Sequence, residues 1–244
     1  MTFNGDWAPM AVITGAAHRL GKAIAFELAG CGYAIGLNYH QSSAAAQTTA
    51  DQLRAMGTAV ELLQADLEDP AQIEALFNRL DRMPYLLKVW VNSAAVMNRG
   101  DLRKMEVSEW DATLALNLRA PWLCAREAAR RMSQGGVVIN LSDSGARKTW
   151  SGFPAYAVSK AGLEILTRLL AKTLGPAIRV NAVAPGLILP AADQDEAKWA
   201  QLVDRLPLRK PGTPADVAKT VRFLIENETI TGETIIVDGG YQLV

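Results

Sequence analysis

A short apolar strand pattern, Ala11-Val-Ile-Thr14, runs directly into Gly15-Ala-Ala-His-Arg-Leu-Gly21 and then into a helical pattern that begins near Leu20, with Ala23, Ile24, Phe26, Glu27 and Leu28 behind it. Strand, glycine turn and helix in that order let backbone amides and a helix N-terminus face a pyrophosphate, where the helix dipole favours negative charge. A glycine pair before a helix also suits a plain turn, so the meaning of this one depends on the segments C-terminal to it.

Those segments alternate without a break. Tyr33 to Tyr39 reads as a second strand, Ser42 to Met56 as a helix, Ala59 to Gln64 as a third strand and Pro70 to Leu80 as a helix. Leu86 to Asn92 is a fourth strand, Val107 to Met132 one long helix, Val137 to Leu141 a fifth strand and Ala155 to Leu174 a helix. Ile178 to Ala184, Pro214 to Glu226 and Thr234 to Val237 complete the pattern as strand, helix and strand. The alternation predicts an α/β fold, a doubly wound parallel sheet of about seven strands with helices on both faces and ligands beyond the carboxyl ends of the strands. With 244 residues, half of them hydrophobic, the chain suits a single domain over 1–244. Pro185 to Pro214 is the one long connection with weak patterning, which makes 186–213 the candidate substrate lid.

Composition removes several classes of function. The 25 basic and 25 acidic residues balance, which gives no electrostatic footprint for nucleic acid or an anionic membrane. Met1 to Pro9 is polar without a signal pattern, and no apolar run approaches the roughly eighteen residues of a membrane span, so a soluble cytoplasmic protein is expected. Cys31 and Cys124 lie in or beside apolar helical patterns and read as small buried hydrophobes. His18 and His40 are the only histidines, and without a cysteine cluster they point away from a metal site and from a Ser-His-Asp triad.

The chemistry gathers between Asp143 and Lys160. Tyr156 and Lys160 are four apart in an apolar run of helical period, so both emerge on one face. An ammonium one turn from a phenol favours phenolate and is expected to pull the tyrosine down from about 10, into use as a proton donor and acceptor. The spacing alone also suits an ordinary packing pair. The strand ends carry the argument further: Gly15, then Tyr39-His40-Gln41-Ser42, Asp66-Leu67, Asn92-Ser93-Ala94, Asp143 and Pro185-Gly186 come after six successive strand patterns. Six polar or glycine positions on one rim mark a site.

Thr14-Gly with five residues before Gly21, Asp66-Leu67, Asn117, Tyr156-x-x-x-Lys160, Arg179-Val-Asn-Ala-Val-Ala-Pro-Gly186 and Thr231-Gly through Asp238-Gly-Gly240 together resemble the short-chain dehydrogenase/reductase family along essentially the whole chain. The resemblance implies a Rossmann-like domain, NAD(P)-dependent hydride transfer and a catalytic tetrad of Asn, Ser, Tyr and Lys. By position these are Asn117, Tyr156 and Lys160, with Asp143 in the serine place thirteen residues before the tyrosine. The family's middle glycine of the first turn is Arg19 here. Both departures, and Asn38-Tyr-His-Gln-Ser-Ser43 after the second strand, are similar to the pteridine reductase branch.

An ionised carboxylate cannot donate to a developing alkoxide and raises the pKa of a neighbouring phenol, which disfavours ketone reduction. Reducing a C=N bond needs hydride at carbon and a proton at nitrogen, and a carboxyl group of raised pKa, or a water it orients, can deliver that proton. A bulged strand end that gives the serine role to Ser142 or Ser144, with Asp143 as a loop cap, is the other reading of these residues. For the cofactor, Tyr39 stands where an NAD site carries an acid, while His18, Arg19, His40, Gln41, Ser42 and Ser43 offer charge or hydrogen bonds to a 2′-phosphate. NADPH/NADP+ is expected, although the resemblance would put Arg at Gln41. Ser42 also suits a helix N-cap, and Asp66 either caps its turn or, as the family implies, holds the adenine amino group. Leu20, Leu67, Asn92, Ser93, Ala94, Pro185 and Gly186 complete the expected cofactor contacts with Gly15, Gly21, Tyr156 and Lys160.

The pteridine branch usually carries an aromatic residue where Met97 stands, and Trp150, Phe153 and Trp199 are candidates to replace it. Arg19 is implied to contact pyrophosphate and substrate together, and Arg147 and Lys148 read as solvated loop charges. Three functions are open to such a chain. One is an NADPH-dependent reductase of a pterin or dihydrofolate, with proton delivery by Tyr156 or through Asp143, Lys160 tuning Tyr156 and Asn117 holding a water relay. The second is a reductase of ketones such as 3-oxoacyl thioesters, and the third a protein that senses NADP(H) without turnover. The resemblance implies a homotetramer, or a homodimer, packed through the helices that bear Asn117 and Tyr156.

Overall fold

The computed structural model describes residues 7–148, 150–190 and 195–244. Residues 1–6 of the opening segment and 191–194 of the candidate lid lie outside the described residues.

Seven parallel strands, β1 (Ala8–Ile13), β2 (Ala34–Tyr39), β3 (Val60–Gln64), β4 (Tyr85–Asn92), β5 (Gly136–Leu141), β6 (Ile178–Pro185) and β7 (Thr234–Val237), lie in the order β3-β2-β1-β4-β5-β6-β7. The connecting helices are α1 (Arg19–Gly30), α2 (Ser43–Ala55), α3 (Pro70–Leu80), α4 (Val107–Leu114), α5 (Ala120–Arg131), α6 (Pro154–Leu174), α7 (Glu196–Asp204) and α8 (Pro214–Glu226). This is the doubly wound architecture expected from the alternation. Its strand order turns back between β1 and β4, and the loops that leave these two neighbours in opposite directions open a crevice at their carboxyl ends.

The two-residue period of a strand divides the core between the faces. Ala11 and Ile13 of β1 and Val89 and Val91 of β4 pack with Ile24 and Leu28 of α1, Leu53 of α2 and Val221 and Leu224 of α8. Met10, Val12 and Trp90 point the other way, against Ile73 and Phe77 of α3, Leu123 and Cys124 of α5 and Leu170 of α6. Trp90 stacks on Phe77 with ring centroids 4.6 Å apart. Cys124 is fully buried and Cys31 half-buried, both as free thiols. Among the described residues no helix is long and apolar enough to cross a membrane.

Three element expectations need correction. β1 begins at Ala8 rather than Ala11 and ends before Thr14. Pro9 is tolerated there because β1 faces β4 alone at Ala8 and Pro9, and β2 joins from Met10 onward, so the missing N–H costs no ladder bond on a second side. The expected single helix from Val107 to Met132 is interrupted by a π turn at Ala115–Arg119, where the backbone N–H of Ala120 bonds back to the carbonyl of Ala115. The lid connection contains a helix, α7, whose N-cap Asp195 accepts from the N–H groups of Ala197 and Lys198 at 2.8 and 3.1 Å. Its nine residues bury none of their side chains fully, so its apolar periodicity is too faint to mark a helix in the sequence.

Candidate active site

The turn after β1 is shaped by contact. Gly15 has φ +62°, and a Cβ on it would fall 2.9 Å from Cα of Ala94, at the start of the loop after β4. A Cβ on Gly21 would fall 2.5 Å from the Gly15 carbonyl oxygen, so only glycine lets α1 start this close to the turn. Thr14 Oγ1 accepts from the N–H groups of Ser93 and Ala94, both at 2.9 Å, and thereby ties the two loops at the reversal point together. Arg19 occupies the left-handed region at φ 53°, a conformation glycine adopts freely, and its guanidinium donates to the carbonyls of Leu189 and Pro190 beyond β6.

A cavity of about 1340 Å³ runs along the strand ends. Gly15, His18, Arg19, Leu20, Gly21, His40, Asp66, Leu67, Ser93, Ala94, Pro185 and Gly186 line it from among the expected cofactor residues. Asn38 belongs with them although the sequence reading passes over its side chain. Its amide accepts from Gly15 N–H at 3.4 Å and donates to the Leu63 carbonyl at 2.9 Å, which holds the glycine turn against β3. The available signal was a single amide near the end of an otherwise apolar strand. The glycine packing, the open N-terminus of α1 and the length of this cavity suit a dinucleotide.

Four expected cofactor residues do not line the cavity. Asn92 is buried in a closed polar network: Oδ1 accepts from Trp90 Nε1 and Nδ2 donates to Asn140 Oδ1, both at 2.8 Å, and Asn140 donates to Thr167 at 2.9 Å. Its amide is consumed in joining β4 to β5 and α6. Tyr39 packs against the apolar core on the α1 side, and Gln41 and Ser42 sit beyond the rim. Ser42 occupies the N-cap position of α2 but its hydroxyl makes no capping bond. Asp66 accepts from Glu68 N–H at 2.9 Å, which is a turn role, and its second oxygen lies 3.9 Å from His40 Nε2 at the cavity edge.

The β5 end brings the catalytic candidates together. Asp143 leaves the strand in extended conformation and caps the short 3-10 turn Ser144–Arg147 through a 2.6 Å bond from Gly145 N–H to Oδ1. Its other oxygen accepts from the Tyr156 hydroxyl at 2.7 Å. Asp143 therefore caps its loop and faces the tyrosine at once. Ser142 turns away toward the Lys160 carbonyl and Glu164, at 3.4 and 3.3 Å, so the bulged alternative does not describe this strand end. Ser144 Oγ is buried without a hydrogen-bond partner among the described residues, and Ser144 does not line the cavity.

The electrostatics reverse one expectation. Tyr156 is buried, and that burial, followed by the charge of Asp143, pushes its phenol well above the ordinary tyrosine value rather than below it. Lys160 does not reach the hydroxyl. Its ammonium donates to the Leu141 carbonyl at 2.6 Å and lies 5.7 Å from the centroid of the Tyr156 ring. Burial lowers Lys160 itself to about 8, with Asp143 pulling the other way. Burial likewise raises the Asp143 carboxyl, against the hydrogen bonds from Tyr156 and Gly145 and the charge of Lys160. A carboxyl that holds its proton longer than usual thus shares a short hydrogen bond with a phenol that does not ionise readily.

Asn117 lies in the π turn, beneath the cavity rather than on its wall. Oδ1 accepts from Val96 N–H and Nδ2 donates to the Val96 carbonyl, both at 2.9 Å, with Ser159 Oγ at 3.1 Å from Nδ2. Its side chain pins the loop before Met97 and leaves both amide protons engaged, so the expected water relay finds no side-chain donor here.

The far end of the cavity is aromatic. Trp150, Phe153 and Trp199 line it, with Met97, which is 44 % exposed. Trp150 sits with ring centroids 6.1 Å from both Phe153 and Tyr241, and lies so near Gly145 that a Cβ there would come within 2.6 Å of it. Tyr241, on the last 3-10 turn, and Arg99 also line this end and were not drawn from the sequence. For Tyr241 the signal was a lone aromatic just past Asp238-Gly-Gly240; Arg99 had none, because a charge in a loop reads as solvated. Lys148, read as a solvated loop charge, lies 3.8 Å from the Tyr241 ring centroid.

Residues 15–242 match a family model described as Enoyl-(Acyl carrier protein) reductase. The chain is 34% identical over 238 residues to the 3-oxoacyl-[acyl-carrier-protein] reductase FabG of Staphylococcus aureus, covering 94% of this chain and 96% of the relative. Among solved structures it is similar to FolM Alternative dihydrofolate reductase 1 from Brucella canis complexed with NADP, with TM-score 0.91, 31% identity and coverage of 97% of this chain and 94% of that one. It is also similar to a Short chain dehydrogenase from Burkholderia cenocepacia in complex with NADP, with TM-score 0.89, 31% identity and coverage of 98% and 99%.

Proposed function

The chain belongs to the short-chain dehydrogenase/reductase family of oxidoreductases, and from that premise we propose that it is an NADPH-dependent reductase of a C=N bond in a pterin or dihydrofolate. One observation carries the choice of substrate: a carboxyl group, Asp143, occupies the serine place and is bonded to the buried Tyr156. The NADP-bound relatives and the absence of an acid at the end of β2 support NADPH as the cofactor.

Gly15, Arg19, Gly21, Asn38, Ser93 and Ala94 would hold the dinucleotide, with Tyr156 and Lys160 toward its nicotinamide ribose. When bound, it supplies the hydride. The protein's part is the proton. With Asp143 protonated, its O–H turns to the Tyr156 oxygen, and the tyrosine O–H is released toward a ring nitrogen. As Tyr156 gives up that proton it takes the one from Asp143, which ends as carboxylate and recovers a proton from water. Lys160, one turn away and drawn down to about 8, keeps a positive charge beside the pair at neutral pH. Phenolate is never formed as a resting state, which suits the raised value of Tyr156.

A ketone reductase of 3-oxoacyl thioesters is the second reading, supported by Met97 in place of a stacking aromatic and by the likeness to FabG. The purified protein is expected to consume NADPH, in preference to NADH, with a 7,8-dihydropterin and with dihydrofolate. Turnover of acetoacetyl thioester alone would overturn the pterin reading. The assembly that accompanies either reading is a homotetramer or homodimer, supported by Trp122 on α5 and Ile165 and Leu169 on α6, which are exposed. Light scattering on the eluting protein is expected to give a multiple of the 26.3 kDa chain, and a monomer at all concentrations would refute it.

A further inference from the structure

We propose that Arg99 is the receptor for an oxyanion carried on the tail of the substrate, at the mouth of the aromatic end of the cavity. The inference rests on the reading of this cavity as a reductase site and adds to it a second point of recognition, away from the reacting ring.

Two arginines line the cavity, and they differ in what they have left to give. Arg19 spends donors from its guanidinium on the carbonyls of Leu189 and Pro190. Arg99 has its guanidinium carbon 5.1 Å from the centroid of Phe153 and has no hydrogen bond or acidic partner among the described residues. Stacking engages the flat face of a guanidinium and leaves its N–H donors, which lie in the plane, free to meet a carboxylate or phosphate side-on. The position is built rather than incidental. Gly100 N–H donates to the Gly152 carbonyl at 3.0 Å, which joins the loop after β4 to the loop before α6 and sets Arg99 over Phe153. The nearest acid in sequence, Asp101, is already held in a two-point pair by Arg103 at 3.0 and 2.7 Å, so it does not neutralise Arg99.

The ring of Phe153 ends at the cavity and the guanidinium above it is exposed, so a flat substrate within the aromatic end would send its tail outward past Arg99. The chemistry recognised is a carboxylate or phosphate on such a tail. Under the pterin reading it is the glutamyl carboxylate of dihydrofolate, which a simple dihydropterin lacks; under the ketone reading it is the phosphate of a pantetheine thioester.

Steady-state kinetics on the parent, Arg99→Gln and Arg99→Lys test this. In Arg99→Gln the ratio of kcat/KM for dihydrofolate to that for 7,8-dihydropterin is expected to fall about tenfold, the equivalent of roughly 1.4 kcal/mol, through KM. Arg99→Lys should recover part of the ratio, and added salt should erode it in the parent but not in Arg99→Gln. An unchanged ratio overturns the assignment. Tryptophan quenching by folate and by pterin on the NADP-loaded protein gives the same comparison without turnover. If no pterin is reduced, the proposed function fails while this binding arm still decides on Arg99. Acetoacetyl-coenzyme A against acetoacetyl-N-acetylcysteamine, which lacks the phosphate, separates the two sources: a loss in Arg99→Gln confined to the first names the pantetheine phosphate, and equal effects on every tailed and tail-less pair refute the proposal.

Discussion

Tyr156→Phe is expected to lower kcat by a factor on the order of 10² to 10⁴, the usual contribution of a positioned general acid, while NADPH affinity stays within about threefold of the parent. The substitution removes one hydroxyl. Its ring is buried and stays in place, so folding has little to lose, but among the described residues the hydroxyl's one hydrogen bond goes to Asp143 Oδ2 at 2.7 Å. Without the hydroxyl the carboxyl has no route to the substrate through residue 156. Fluorescence titration with NADPH and single-turnover kinetics separate the two quantities. A variant that binds NADPH and retains parental kcat would refute the assignment of Tyr156 as proton donor.

Asp143→Ser should shift the enzyme between substrates. The hydroxyl of serine donates to an oxyanion but has no proton to give up to a nitrogen at neutral pH, so kcat/KM for dihydropterin is expected to drop roughly a hundredfold. Removing the carboxylate also removes one of the causes that hold Tyr156 high, so acetoacetyl thioester turnover should rise or appear. The pH profile adds an independent reading. The Asp143 carboxyl is raised, so its protonated form persists to higher pH than an ordinary Asp and dihydropterin reduction should decline as pH climbs through that raised value. Lys160 sits near 8, so loss of its charge is expected to add a second, more alkaline limb; Asp143 opposes that loss, and in Asp143→Ser this limb should move to lower pH. A limb that stays where it was, with dihydropterin turnover unimpaired, would remove Asp143 from the proton path.

Much of the site was legible because it is written locally. Strand, turn and helix each carry their own period; Gly15 and Asp143 follow strand ends, and Gly21, Tyr156 and Lys160 fall in the first two turns of the helices beyond them. Asn92 was misjudged for the same reason that made it conspicuous. It is polar at a strand end, but its side chain points across the sheet to Asn140, and direction at the last residue of a strand depends on neighbours far along the chain. The clamp that the Asn117 side chain makes on Val96 was not legible, since a π turn that aims one side chain leaves no mark on hydrophobic periodicity. Tyr241 and Arg99 reach the cavity only because loops distant in sequence meet at its far end.

Residue order alone points to the architecture and the reaction family: a regular alternation of periods stacks as a parallel sheet with helices on its faces, and the glycine turn after the first strand with the Tyr/Lys pair marks it as the doubly wound, dinucleotide-binding kind. The state of the chemistry is settled in three dimensions. Whether Lys160 lowers Tyr156 or Asp143 raises it depends on burial and on a few ångströms between groups, and neither is encoded in spacing along a helix. Charge interactions and desolvation are set by the whole surrounding fold, so the direction of those shifts emerges only where the strand end, the helix and the cavity come together.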